Sequence, residues 1–302
     1  MPVYNGEPCI RKALDSILGQ DYKDFELIIS DNASTDETSK ICREYAARDT
    51  RIEYYRTEEN MGAVWNFNRV FGLSRGEYFM WAAADDWHAP NYLRLCLACL
   101  ELDPASVLCF AKTYMIKPGF PPSSVFENLK VDQATPRERF QAFMQCNTPW
   151  AAVVYGVIRA SALRRTTLLE NYYGSDTGLL LQLSLIGPFR RCDETSFYYW
   201  NEVKDSDIKA YYKRVVKSLH LGNPPKAPFL PSWEVGGRYL RIVAASSLPN
   251  RMKAYLASDV IRYYFLRRTR FMEVFHLIAS STGLLWLRDH LLDSTPRPRH
   301  SR

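Results

Sequence analysis

The run Tyr78-Phe-Met-Trp-Ala-Ala-Ala, closed by Asp85-Asp86, constrains this chain more than any other stretch. A near-continuous apolar segment of this length fits a strand buried on both faces, as in a sheet covered by helices on each side. The flanking pattern agrees. Ile10, Ala13, Leu14, Ile17 and Leu18 keep helical spacing, with Pro8 at an expected first helical position and Gly19 after the end. Phe25 to Ser30 and Ile52 to Tyr55 read as short strands. Between them Ser34 and Glu37 form a capping-box pattern that predicts a helix reaching about Arg48. A helix over Gly62 to Leu73 sets Val64, Phe67, Val70 and Phe71 on one side; another covers Tyr92 to Leu102 and stops before Pro104, and Val107 to Ala111 follows as a strand. Alternation of this kind predicts an α/β fold with a doubly wound, mostly parallel sheet. In such sheets ligands bind beyond the carboxyl ends of the strands, so Asn5, Asp31 and Asp85-Asp86 are expected to converge on one crevice.

Past Lys117 the pattern loosens. A loop is expected around Pro118, Pro121 and Pro122, a helix over Arg137 to Cys146, a strand over Ala151 to Ile158, and an apolar helix over Asp176 to Ile186. Beyond Asp205 the sequence reads as helical and basic, broken by a Pro-rich link from Pro224 to Pro231. Charge divides the chain in the same place: 22 Lys and Arg against 26 Asp and Glu up to Lys204, then 17 against 7. A catalytic domain over 1–204 and a basic extension over 205–302 are therefore expected. The basic part suits an anionic partner such as lipid, nucleic acid or a phosphorylated substrate, or is simply a solvated face. No apolar run approaches the ~18 residues of a membrane span. Seven scattered cysteines without a secretory leader suit reduced thiols in the cytoplasm.

Adjacent carboxylates after a buried strand are costly without a compensating cation. Mg²⁺ or Mn²⁺ would supply one, since hard divalent ions take oxygen ligands and bridge carboxylates to phosphates. Taken alone, Asp85-Asp86 reads at least as well as a polar turn with an Asp capping the next helix. Asp176 likewise suits the N-terminus of its apolar helix through the dipole. His88 beside the pair, and Asn60, Asn66, Asn68 and Arg69, are open between a ligand pocket and a helix surface. Cys96 and Cys99 form C-x-x-C without a second such pair, which favours packing over zinc. Dinucleotide and P-loop glycine motifs are absent.

Four motifs occur in order: Met1-Pro-Val-Tyr-Asn-Gly-Glu, Ser30-Asp-Asn-Ala-Ser-Thr-Asp, Asn60-Met-Gly, and Arg75-Gly-Glu-Tyr-Phe-Met-Trp-Ala-Ala-Ala-Asp-Asp. Together they resemble family 2 glycosyltransferases of the GT-A fold over roughly residues 1–200. The resemblance implies a nucleotide-sugar donor bound by Pro2, Val3, Tyr4, Asn5, Glu7, Asp31, Asn32, Asn60, Gly62 and Asp85. Tyr4 would lie by the base and Asp31 would contact it. Asp85 and Asp86 would hold the metal, Asp86 as the direct ligand, and Asp176 would act as general base. An inverting transfer to a glycan or lipid-linked acceptor in polysaccharide or cell-envelope synthesis is implied, with nucleic acid excluded as partner. Rival readings are a sugar-phosphate nucleotidylyltransferase, which lacks its Gly-rich basic loop here, and a nucleotide-binding scaffold that has lost catalysis.

Arg262, Arg267, Arg268 and Arg270 lie among Tyr263, Tyr264, Phe265, Leu266 and Phe271, a mixture that suits peripheral contact with an anionic membrane on its inner face. The resemblance also implies an apolar strand ahead of Pro2, central in the sheet. Five such residues would bury ~7–15 kcal/mol, comparable to a domain's net stability. A product starting at Met1, from a misassigned start codon or a gene fragment, is therefore expected to be unstable and poorly active.

Overall fold

The computed structural model describes residues 1–125, 129–145, 150–200 and 231–265. The chain forms two compact units, Met1–Pro225 and Lys226–Arg302; the boundary expected at 204/205 lies outside the described residues.

The first unit opens with a parallel three-stranded sheet in the order β1 (Pro2–Val3), β2 (Leu27–Asp31), β3 (Ile52–Arg56). Every residue of β2 is buried. Helices α1 (Ile10–Leu18) and α2 (Thr38–Ala46) supply Ile10, Leu14, Ile17 and Ile41 to a core shared with Val3, Leu27, Ile29 and Ile52. The apolar spacing read from the sequence is thus the buried face of α1. Its N-terminus differs: the helix begins at Ile10, after a turn in which the Cys9 and Ile10 N–H groups donate to the Gly6 carbonyl. The capping box is not formed either. Helix α2 starts at Thr38 without a side-chain cap, because Ser34 is engaged elsewhere, its hydroxyl accepting from the Asn5 N–H at 2.9 Å.

Helix α3 (Ala63–Leu73) leads to β4 (Tyr78–Phe79), which is followed by β5 (Trp87–His88) and α4 (Tyr92–Leu102). The remaining strands, β6 (Leu108–Ile116), β7 (Ser123–Val125), β8 (Val157–Arg159) and β9 (Phe189–Trp200), form with β4 and β5 a second sheet ordered β4-β8-β6-β9-β5, with β7 paired to β6. Here β6 and β9 run parallel and the other pairs antiparallel. Helix α5 (Pro136–Gln145) packs on α7 (Ser175–Ile186), and short α6 (Ala160–Leu163) follows β8. The strand expected over 151–158 is instead a 3₁₀ helix, Trp150–Tyr155, with the strand displaced to Val157–Arg159. A short apolar run does not by itself distinguish the two, and packing on α7 decides it.

The apolar run at 78–84 is laddered only at Tyr78 and Phe79, although Trp81, Ala82 and Ala83 are buried. A cleft of about 720 Å³ lies on its flank, bounded by Leu27 and Ile28 of β2, by Phe79 and Met80, and by Leu93 and Val157. β1 lies at one end of the first sheet. Beside the cleft the Met1 amino group donates to the Ile28 carbonyl at 2.6 Å, and burial pulls its pKa down to about 5.

All six described cysteines are free thiols. Cys96 and Cys99 of α4 face Cys109 of β6 and Cys192 of β9, as packing predicts. In the second unit α8 (Pro231–Ala245) and α9 (Asn250–Val260) precede a π-helical turn, Ile261–Phe265. Tyr264 packs edge-on against Tyr239, and Phe265 against Trp233. Two of the aromatics assigned to a membrane face are thus engaged within the unit; Leu266, Arg267, Arg268, Arg270 and Phe271 lie outside the described residues. Among the described residues no helix is long and apolar enough to cross a membrane.

Candidate functional site

The carboxyl ends of β1 and β2 are joined by side chains from the first two motifs. Asn5 holds a left-handed backbone (φ 51°) that Asn tolerates. Its N–H donates to the Ser34 hydroxyl and its Oδ1 accepts from the Thr35 N–H at 2.8 Å. Glu7 is tied reciprocally: its N–H donates to Asp36, and its carboxylate accepts from the Glu37 N–H. Pro2 and Val3 form the strand itself, and Tyr4, half exposed at 50%, stands free at its end.

Asp31 is fully buried. Its Oδ1 accepts from the Ser34 N–H at 2.8 Å; its Oδ2 accepts from Ser39 Oγ at 2.5 Å and Tyr54 Oη at 2.7 Å, with Arg56 Nε at 3.4 Å. Burial alone would raise its pKa, but the Ser34, Ser39 and Tyr54 hydrogen bonds outweigh this and hold it below the ordinary value. Asn32 is equally committed. Its amide donates to Asn60 Oδ1 at 2.8 Å and to the Gly62 carbonyl, while its Oδ1 accepts from the Met61 N–H at 2.9 Å. Gly62 starts α3 at φ 89°, a conformation that favours glycine. These residues tie the loops after β1 and β2 to the start of α3 through backbone and side-chain bonds to one another. Asn66 reinforces the tie, donating to the Ser30 carbonyl at 2.8 Å.

Asp85 and Asp86 follow the apolar segment into the same region. Asp85 opens to solvent at the rim, and partial desolvation raises its pKa. Asp86 is 2% exposed; its Oδ1 accepts from the Trp200 N–H at 2.7 Å, while its Oδ2 is buried without a partner. Burial, then the Asp85 charge, pushes its pKa well above the usual carboxylate range. An orphan anionic oxygen beside a second carboxylate fits a hard divalent cation, whose charge would reverse both shifts. Among the described residues no group of three or more His, Cys, Asp or Glu surrounds that position, so other ligands would have to complete the shell. His88 is buried with both ring nitrogens unpartnered; burial lowers its pKa to about 3 and keeps it neutral, and its ring packs against Tyr92 and Phe197 at 4.6 and 4.9 Å.

Asp176 lies in the first turn of α7, behind Gly174 at φ 82°. Its Oδ1 accepts from the Thr177 N–H at 2.7 Å, and desolvation raises its pKa. The loop before it is clamped to α3. Asn68 donates to the Leu169 carbonyl at 2.9 Å and accepts from the Leu169 N–H at 3.1 Å, next to Leu168 in the left-handed region at φ 59°. One further group in the field of the carboxylates was not singled out from sequence. Tyr155 lies within electrostatic reach of Asp86, Asp85 and Asp176; burial, then Asp86, pushes its pKa well up, so the phenol stays protonated. Its only sequence signal was an apolar run that reads as core.

The family model for Glycosyl transferase family 2 matches residues 1–166. The Streptococcus pneumoniae glycosyltransferase GlyA is 38% identical over 93 residues, 31% of this chain and 13% of that protein. The putative glycosyltransferase EpsE of Bacillus subtilis is 35% identical over 102 residues, 33% and 37% of the two chains. The chain thus spans well under half the length of the curated relatives it matches. In structure it resembles S. aureus TarS 1-349 in complex with UDP-GlcNAc, with TM-score 0.62, 16% identity, and 87% and 71% of the chains covered. It also resembles the mannosyltransferase PcManGT of Pyrobaculum calidifontis in complex with GDP-Man and Mn²⁺, with TM-score 0.51, 19% identity, and 94% and 85% covered. By its motifs, its GT-A architecture and the matched family model, this chain belongs to glycosyl transferase family 2.

Proposed function

We propose that this protein transfers a sugar from a nucleoside-diphosphate sugar to a hydroxyl acceptor, with inversion at the anomeric carbon. The observation that carries the reading is Asp86, a buried carboxylate with one unpartnered oxygen beside Asp85, in electrostatic contact with Tyr155. Asp86 and Asp85 would hold Mg²⁺ or Mn²⁺, a choice supported by the cation in the mannosyltransferase. Bound there with the donor diphosphate, the cation neutralises the charge that develops on the leaving group.

The chain's own residues do the rest. Tyr4 offers an exposed face for stacking on the base. Asp31, Asn32, Asn60 and Gly62 hold the loops beside it in place, Asp31 from a fully buried position that leaves the base to Tyr4. Asp176 takes the proton from the acceptor hydroxyl, a task its raised pKa favours because a base works best near the operating pH. Donor use is supported by UDP-GlcNAc in TarS and GDP-Man in the mannosyltransferase. The acceptor is a glycan or lipid-linked precursor of a cell-envelope polysaccharide, met at the cytoplasmic side of the membrane, where the basic extension makes peripheral contact with anionic lipid.

The test is a panel of nucleotide sugars offered to the purified protein with Mn²⁺ or Mg²⁺, read as nucleoside diphosphate release. Calorimetry of nucleoside diphosphate binding accompanies it. Asp86→Asn should abolish the Mn²⁺-dependent part of the affinity while leaving the melting transition in place. Equal Mn²⁺ dependence in both proteins overturns the metal assignment; no turnover with any donor overturns the reaction.

A further inference from the structure

The segment between α6 and α7 is gripped by two side-chain amides, one on each side of a strained residue. Gln182 of α7 holds Thr167: its Oε1 accepts from the Thr167 N–H at 2.9 Å, and its Nε2 donates to the Thr167 hydroxyl at 2.9 Å. Asn68 of α3 holds Leu169 in the same reciprocal way, donating to its carbonyl at 2.9 Å and accepting from its N–H at 3.1 Å. Between them Leu168 is left-handed at φ 59°. A leucine keeps that conformation only where its surroundings over-determine it, and the four bonds on its two neighbours do so. Thr167 is exposed and Leu169 half-buried, so water would satisfy these backbone groups in an unclamped loop.

The two helices joined in this way carry the two sides of the site. On α3, Asn66 donates to the Ser30 carbonyl at 2.8 Å, and the Gly62 carbonyl accepts from Asn32, so this helix is fixed to the end of β2. Residues two apart on a helix stand about 200° apart, which turns Asn68 away from β2 and onto the clamped segment. Helix α7 carries Asp176 in its first turn. Between Leu169 and that turn the backbone is compact: the Tyr172 N–H donates to the Glu170 carbonyl at 2.8 Å, and the Ser175 N–H to the Tyr172 carbonyl at 3.3 Å. A displacement at Leu169 therefore reaches Asp176 with little slack.

We infer that Asn68 and Gln182 are positioning residues that together fix Asp176 relative to the donor-side helix α3, a role that rests on Asp176 acting as the base of the proposed transfer. Both act through the backbone at Thr167 and Leu169. A reacting group misplaced by ~1 Å costs ~10²-fold in rate, so the grip is expected to show in turnover and not in donor affinity.

The test compares the 302-residue protein with Asn68→Leu, which keeps the side-chain size and removes one pair of bonds, and with Gln182→Leu, which removes the other pair from α7. Amide hydrogen exchange is read at Ser175 and Gly178, whose N–H groups donate to the Tyr172 and Gly174 carbonyls. Each variant should speed exchange there about tenfold or more, with Leu181 to Leu185 unchanged and the melting temperature held within a few degrees. With the donor that the nucleotide-sugar panel selects, kcat should fall about tenfold or more while donor KM stays within about twofold. The double variant should fall little further than either single one, because both side chains hold one segment. Unchanged exchange at Ser175 and Gly178 in both variants overturns the role. Faster exchange with kcat intact overturns it as well, and a raised donor KM with kcat intact assigns Asn68 to donor binding instead. A low kcat in Asp176→Asn beside a normal kcat in Asn68→Leu and Gln182→Leu sinks the positioning alone. A normal kcat in Asp176→Asn removes the base, and the positioning with it.

Discussion

Replacing Asp31 by Asn isolates what one buried carboxylate contributes to the loop after β2. The side chain is fully buried and meets three well-placed donors: Ser34 N–H on Oδ1, and the Ser39 and Tyr54 hydroxyls on Oδ2. Asn is the same size, so no cavity forms. Its better orientation keeps the carbonyl towards Ser39 and Tyr54 and turns the NH₂ against the Ser34 N–H, two donors face to face. That leaves a buried donor unsatisfied, at ~1–3 kcal/mol. The two remaining bonds lose their charge assistance, ~1 kcal/mol each, and Arg56 loses its partner at 3.4 Å. Relief from burying a charge offsets part of this. The expected net loss is ~2–4 kcal/mol at pH 7, a large share of a typical ~5–15 kcal/mol.

The pH dependence fixes the sign. Asp31 is held below its ordinary pKa, so its contribution is present above ~3.9, the unfolded value, and is lost as pH falls through the folded value. The gap between wild type and variant in urea unfolding should be full at pH 7 and shrink below pH ~4. A gap under ~0.5 kcal/mol at pH 7, or one that widens in acid, refutes the account of Asp31 as the charged anchor of that loop.

Three further outcomes follow from the geometry. Ala33 sits at φ 64° in the loop after β2, so Ala33→Gly should leave stability unchanged or raise it by up to ~1 kcal/mol by releasing left-handed strain; destabilisation read as a lower urea midpoint would contradict this. Asp176→Asn should lower kcat by about 10²–10⁴-fold with donor affinity unchanged. In the wild type kcat/KM should rise with pH through a value above the ordinary carboxylate range, because desolvation raises this carboxyl; a normal kcat in the variant leaves Asp176 as a helix-end residue. Tyr155→Phe removes only the phenol hydroxyl, which feels the charges of Asp86, Asp85 and Asp176, and should cut kcat about tenfold or more with the melting temperature held within a few degrees; an unchanged kcat assigns Tyr155 to packing.

Much of the first half was legible because its signals are local. The spacing of Ile10, Ala13, Leu14 and Ile17 is the buried face of α1, and the apolar run ending at Asp85-Asp86 leads from buried Trp81, Ala82 and Ala83 to a buried Asp86 and an exposed Asp85. Ser34 shows where local reading stops. Its capping pattern was plausible, but its hydroxyl is taken by the Asn5 N–H, 29 residues earlier in the chain. The 151–158 segment fails for a related reason, since an apolar run fits a 3₁₀ helix or a strand equally until its neighbour is known. Tyr155 carried no signal at all, because an aromatic residue in an apolar run looks like core.

What the sequence determined by itself is therefore the set of chemical groups and their order: pocket motifs at Asn5, Asp31 and Asn60, a carboxylate pair at 85–86, and a further carboxylate at 176. Tertiary structure alone decided how those groups are spent. Asp31 and Asn32 turn inward as anchors, His88 is buried as a neutral ring with both nitrogens unpartnered, and Asp86 is left with one bare oxygen. The physical reason is that pKa and hydrogen-bond satisfaction depend on desolvation and on partners brought from distant parts of the chain. Periodicity reports which face of an element is apolar; it carries no information about which distant donor, charge or cleft will meet the polar groups at that element's end.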